Sequence, residues 1–181
     1  MTETKPWHKY WPQNIPKTLT YPETPLHELL DTAAEKHPYH TAITYLGKKI
    51  TYGELDQQVD RFATALRNLG VKQGDRVAIY LPNIPQYVIS YYAVSKIGAI
   101  NTAVSPLYKE RELEHQINDS GAETLILLDM LYPTVKAVKD KTKLKNLIAA
   151  TIGEYLPPAK RIVGTLIGRV PRHKIPKDAG V

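Results

Sequence analysis

No hydrophobic period is visible along the first 25 residues. Five of the chain's 14 prolines and both of its tryptophans lie there. Proline lacks an amide proton and fixes φ, so this stretch can form neither a long helix nor a central strand. It predicts an extended arm over residues 1–25, with Trp7, Tyr10 and Trp11 as its anchors. Packing of those rings onto the arm's own domain is the preferred reading. A lid or a partner contact is the alternative.

Beyond the arm the pattern becomes periodic. Thr24-Pro25 predicts a helix start, with threonine as the cap and proline at the first helical position. Leu26, Leu29, Leu30 and Ala33 then recur at helical spacing until Pro38. The run TAITYLGKKITY carries two β-prone segments around Leu46-Gly47-Lys48 and predicts a hairpin. Thr51 and Glu54 stand three apart, as a capping box requires, ahead of an apolar stripe of Leu55, Val59, Phe62, Leu66 and Leu69; Gly70 supplies the stop. VAIYL reads as a buried strand ended by Pro82, followed by a helix over 85–96 that stops at Gly98. AINTAV is the next strand. A short helix over 110–119 closes at Ser120-Gly121, TLILLD is a further strand, a helix runs near 132–139, and LKNLIAATI holds the last strand.

From residue 41 the predicted order is therefore ββαβαβαβαβ. VAIYL and TLILL are apolar throughout rather than alternating, the signature of strands covered on both faces. The fold class is α/β: a mostly parallel sheet with helices on both faces, preceded by a proline-rich arm and a β-hairpin. The expected division is an arm over 1–25, an α/β subdomain over 26–152, and a basic amphipathic tail over 153–181.

Composition and charge sharpen this picture at the end of the chain. Net charge is +6, yet residues 1–135 hold 13 Lys/Arg against 15 Asp/Glu, while residues 136–181 hold 11 against 3. The high pI thus reports a basic tail, and nucleic acid is not expected as a partner. In that tail Ile162, Val163, Leu166, Ile167 and Val170 form an apolar face beside Lys160, Arg161, Arg169 and Arg172. Two readings of 153–175 are open: packing against further chain, which is preferred, and peripheral contact with an anionic membrane. The chain has no cysteine, which removes disulfides, thiolate metal sites and thiol nucleophiles. With no long uninterrupted apolar run and a charged, proline-bearing start, the expected location is cytoplasmic.

The search for chemistry is mostly negative. Neither G-x-G-x-x-G nor G-x-x-x-x-G-K-[ST] occurs, and there is no G-x-S-x-G. Of the six histidines (His8, His27, His37, His40, His115, His173), only His37 and His40 have helical ligand spacing, and they straddle Pro38. Glu110, Glu112 and Glu114 alternate and would point different ways on a helix. Tyr87, Tyr91 and Tyr92 lie at helix spacing and read as packing. No residue is assigned a catalytic, cofactor-binding or metal-binding role.

Three segments, taken in order, resemble the opening region of the acyl-adenylate-forming enzymes, the superfamily of acyl-CoA synthetases, luciferases and peptide-synthetase adenylation domains. Thr51-Tyr52-Gly53-Glu54-Leu55 matches its T-Y-x-E-L motif, at family spacing from Gly74-Asp75-Arg76-Val77. The stretch through Gly98 into Glu112-Leu113 is similar to its second motif. The arm and hairpin look most like the long-chain fatty-acid–CoA ligase branch. The resemblance implies the N-terminal subdomain of the acyl-CoA synthetase fold and roughly the first third of an AMP-forming ligase. Such an enzyme makes an acyl-adenylate and then an acyl-CoA, using ATP, Mg²⁺ and coenzyme A on a fatty acid substrate. The family's phosphate-binding loop and its acidic, ribose-binding and lysine motifs have no counterpart among these residues. The chain by itself is therefore expected to be inactive, and no cofactor is expected to be held by it. Thr51, Glu54, Gly70, Gly98 and Asp75 carry over as structural positions only. A homodimer is held open. The alternative function is a stand-alone, non-catalytic interaction domain using its basic tail; a small nucleotide-binding α/β protein is a third reading, opposed by the absent glycine loops.

Overall fold

In the computed structural model, residues 5–157 are described, together with Lys160, Ile162, Gly164 and Ile175. Among its described residues the arm contains one 3-10 turn, Pro6–Tyr10, in which no residue is buried. Within residues 5–157 there follow α1 (Glu28–Lys36), β1 (Thr41–Tyr45), β2 (Lys48–Thr51), α2 (Tyr52–Asn68), β3 (Arg76–Tyr80), α3 (Pro85–Lys96), β4 (Ile100–Ala103), α4 (Glu110–Ser120), β5 (Thr124–Leu128), α5 (Tyr132–Val138) and β6 (Asn146–Ala150). Strands β1 and β2 form an antiparallel hairpin. The other four form a parallel sheet in the order β4-β3-β5-β6. Among the described residues no helix is long and apolar enough to cross a membrane.

The sheet separates two cores. Val77, Ile79, Leu81, Ile126, Leu128 and Ala150 face one side, with α1, α2 and α3. Ala78, Tyr80, Leu125, Leu127 and Leu147 face the other, with Leu113 and Ile117 of α4 and Val135 and Val138 of α5. Helices on both faces are what continuous apolar strands require, because neither face can be left wet.

Two expectations are corrected. Helix α1 begins at Glu28, not at Thr24-Pro25, and its first turn has no side-chain cap. Pro25 instead accepts a turn hydrogen bond from the Glu28 amide. The buried residues of α1 are Leu30 and Ala34, whereas Leu29 is 60% exposed and Leu26 43%. With nothing packed on their side, helical spacing alone could not show that half the stripe faces water. The rings of the arm are likewise not packed away: Trp7 is 56% exposed and Tyr10 79%. The basic amphipathic tail read over 153–181 lies mostly outside the described residues.

The matched motifs have local physical reasons. The Thr51 hydroxyl accepts from the Glu54 amide and the Glu54 carboxylate accepts from the Thr51 amide, the reciprocal bonds of a capping box. Gly74 and Gly98 both have positive φ, 84° and 73°, and they meet: the Gly74 amide donates to the Gly98 carbonyl at 2.9 Å. A Cβ at Gly98 would stand 2.9 Å from Gln73 Cγ, so a side chain there meets both backbone strain and a clash. Asp75 closes the same turn by accepting from the Lys72 amide at 2.7 Å. Two motifs distant in sequence thus build one junction, which sets Arg76 of β3 beside Ile100 of β4.

Lys96 ties three helices together. Its ammonium lies 2.9 Å from Asp31 of α1, 3.1 Å from Asp56 and 2.5 Å from Asp60 of α2. Burial works against the charge, but the hydrogen bonds to Asp60, Asp31 and Asp56 outweigh it and hold the ammonium above its ordinary range. A raised folded-state value means this stabilisation is present in full below the unfolded lysine's ordinary value and is lost as pH rises through the folded one.

Two stability outcomes follow from these contacts. Thr51→Ala should lower unfolding stability by about 1 kcal/mol in urea titration, and an unchanged midpoint would show that the cap contributes nothing. Lys96→Met leaves three carboxylates facing one another and should cost about 2 kcal/mol. Part of that loss should return at high salt, where the carboxylates are screened.

Candidate functional site

Parallel doubly wound sheets place ligand crevices beyond the carboxyl ends of strands, where connections leave in opposite directions. Here that point lies between β3 and β5. From β3 the chain crosses through α3 to β4; from β5 it crosses through α5 to β6 on the opposite face. At the end of β3 stand Pro82 and exposed Asn83. At the end of β5 stands Asp129, 2% exposed, whose carboxylate accepts from the Met130 amide at 2.8 Å.

Beside this edge, a groove of about 350 Å³ opens between α2, α3 and the strands β5 and β6. Its floor is Ile126 and Ile148, paired across the two strands. Phe62 and Ala65 of α2 and Ile89 of α3 form its apolar walls. Gln58, Arg61, Gln86, Ser90, Glu154 and Tyr155 add polar groups.

Gln86 organises the rim. It sits in the first turn of α3, right after Pro85, and is buried. Its amide donates to the Thr151 carbonyl at 2.8 Å and to the Glu154 carboxylate at 2.9 Å, drawing the segment after β6 against α3. Its own carbonyl oxygen, Oε1, is buried with no hydrogen-bond partner. A buried unpaired acceptor is costly, and Gln86 carries that cost at the rim while its amide makes two bonds. Tyr155, in the 3-10 turn Ile152–Tyr155, donates its hydroxyl to Gln58 Oε1, and Lys48 Nζ lies 5.1 Å above its ring. Burial, followed by the Glu154 carboxylate, pushes the Tyr155 hydroxyl above its ordinary value, which keeps it a donor.

The groove can bind but carries no evident reaction. Its lining has neither histidine nor cysteine, and among the described residues no three His, Asp or Glu side chains are grouped to hold a metal ion. His37 and His40 do come together, as exposed stacked rings 4.9 Å apart. The three glutamates do not converge: Glu112 accepts from the Lys109 amide, while Glu114 pairs with Lys141 at 3.6 Å. Tyr87 stacks on Tyr91, and Tyr92 meets it edge-on, all against the α1–α3 core. Gln86, Tyr155 and Asp129 went unmarked in sequence. Only Asp129, an acid directly after the four apolar residues Leu125 to Leu128, left a signal there.

Residues 30–163 match the family described as AMP-binding enzyme. The chain is 39% identical over 165 residues to a long-chain-fatty-acid–CoA ligase of Bacillus subtilis, covering 90% of this chain and 29% of that protein. A solved long-chain-fatty-acid–CoA ligase of Archaeoglobus fulgidus superposes with a TM-score of 0.69 at 33% identity, over 74% of this chain and 28% of that one. The N-terminal subdomain of NpsA from Klebsiella oxytoca superposes with a TM-score of 0.55 at 31% identity, over 57% of this chain and 27% of that one. The chain therefore spans less than a third of these relatives and matches the N-terminal subdomain of acyl-CoA ligases; it belongs to the AMP-binding enzyme family.

Proposed function

We propose that this chain is the N-terminal portion of an ATP-dependent fatty-acid–CoA ligase and does not catalyse by itself. The observation that supports the reading best is the 39% identity to the Bacillus subtilis ligase over 90% of the chain. A cytoplasmic location belongs to the same proposal. In such an enzyme ATP and Mg²⁺ would activate the fatty acid carboxylate and coenzyme A would accept the acyl group. The residues here do not fit those groups: there is no glycine-rich phosphate loop and, among the described residues, no trio of metal-ligating side chains. No step of that chemistry is assigned to them. Their part is to build the parallel sheet and present its carboxyl edge, with Asn83, Asp129 and the Gln86 rim, to whatever completes the site.

Two measurements test this. The 181-residue chain should show no fatty-acid-dependent exchange of pyrophosphate into ATP; exchange above a no-enzyme control, abolished by EDTA, would overturn its inactivity. A chimera carrying these residues in place of the matching stretch of the Bacillus subtilis ligase should regain exchange with long-chain fatty acids. A folded, monodisperse chimera without exchange would overturn the assignment to this enzyme class.

A further inference from the structure

The arm carries an unusual combination of exposed side chains. Trp7, Tyr10, Trp11, Ile15, Leu19 and Tyr21 are all more than a third exposed. Between residues 4 and 22 there is no aspartate or glutamate, while Lys5, Lys9 and Lys17 are interspersed among the rings. Isolated exposed apolar residues need no explanation, but a cluster of this size does.

The local geometry prepares the rings for a water–hydrocarbon boundary. The Pro6–Tyr10 turn brings Trp7, His8 and Trp11 together, with ring centroids 6.2 Å and 6.3 Å apart and near edge-on. The Trp11 indole N–H donates to the Ile15 and Pro16 carbonyls at 3.1 Å and 3.2 Å. Its one donor is thus satisfied within the arm, and the ring can leave water without stranding a polar group. Lys9 Nζ lies 4.7 Å over the Tyr10 ring, which places a cation at the level of the aromatics. Tryptophan and tyrosine collect at membrane interfaces for this reason, and lysine stems lie along apolar surface while their heads stay in water.

From this we propose that the arm, residues 5–21, is a peripheral docking element for an anionic lipid surface. Two signals combine in it, as stable peripheral binding requires: apolar rings that enter the headgroup region, and cations attracted to acidic lipids. The absence of any acidic residue between residues 5 and 21 favours an anionic bilayer over a second copy of the chain, whose first 135 residues carry more acids than bases but whose Asp31, Asp56 and Asp60 are engaged with Lys96. The inference rests on the arm alone and is independent of the ligase reading.

Both tryptophans of the chain lie in the arm, so intrinsic fluorescence reports on it specifically. Vesicles of three parts phosphatidylcholine to one part phosphatidylglycerol, added to the full chain at low ionic strength, should shift tryptophan emission to the blue by several nanometres. They should also sediment with the protein. Raising the salt should release it, and pure phosphatidylcholine should bind it far more weakly. The Lys9→Glu/Lys17→Glu variant should lose at least about tenfold in partitioning with an unchanged circular dichroism spectrum, since both lysines are exposed. Binding to anionic vesicles with unchanged tryptophan emission would place the contact elsewhere on the chain and overturn the proposal. So would a blue shift that appears without lipid as protein concentration rises, which is the signature of a second copy. No binding, or binding insensitive to salt, would overturn it as well.

Discussion

The structure rests on two strands that have no wet face. Every side chain from Val77 to Tyr80 and from Thr124 to Leu128 is buried, because β3 and β5 lie between two layers of helices. A parallel pair in that position is stable only if both layers are present. This requirement explains why α2, with its apolar stripe, and α3 cover one side and why α4 and α5 return on the other. It also explains the groove. The inner side is well covered over β3 and β5, but over β6 the cover is partial, and Ile148 is left half-buried beside Ile126.

Polar interactions keep the layers in register. Burial has no direction, so it cannot by itself fix how three helices sit on one another. Lys96 supplies that direction on the α1–α3 side, reaching acids separated from it by 65 and 40 residues of chain. Gln86 does the same at the carboxyl edge by bonding to Thr151 and Glu154. At the opposite edge the two glycines at positive φ lock the turn before β3 to the turn before β4. The best-matched family motifs therefore act at helix starts and strand junctions. The side chains that shape the groove mostly lie outside them.

The likeness to ligases concerns a scaffold. A sheet that presents its carboxyl edge is the usual platform for ligand binding in this fold class, and the connections from β3 and β5 diverge at that edge. The unpaired Gln86 oxygen and the open floor of Ile126 and Ile148 mark the same region as incomplete in its contacts. The chain spans under a third of these relatives.

Periodicity and turn chemistry were enough to locate most elements. The run of continuous apolar strands implied a parallel sheet between helices. Thr51 with Glu54 marked the start of α2, and Pro85 with Gly98 bracketed α3. Those signals are local: a cap, a stop or a strand is decided by neighbours within a few residues. The start of α1 was misplaced because Thr24-Pro25 is a good cap in isolation, yet the turn there never bonds to that side chain. Nothing in the sequence showed that Lys96 would meet Asp31, Asp56 and Asp60, or that Gln86 would reach Glu154. Those pairings depend on which faces the helices turn toward each other, and helix spacing gives a stripe without naming its partner. The exposure of Trp7 and Tyr10 was decided in the same way, by how little of the folded domain lies within reach of the arm. Local hydrogen bonding and hydrophobic period are written in the order of residues, whereas long-range ion pairs, the groove and the bare aromatic arm exist only once the chain has closed on itself.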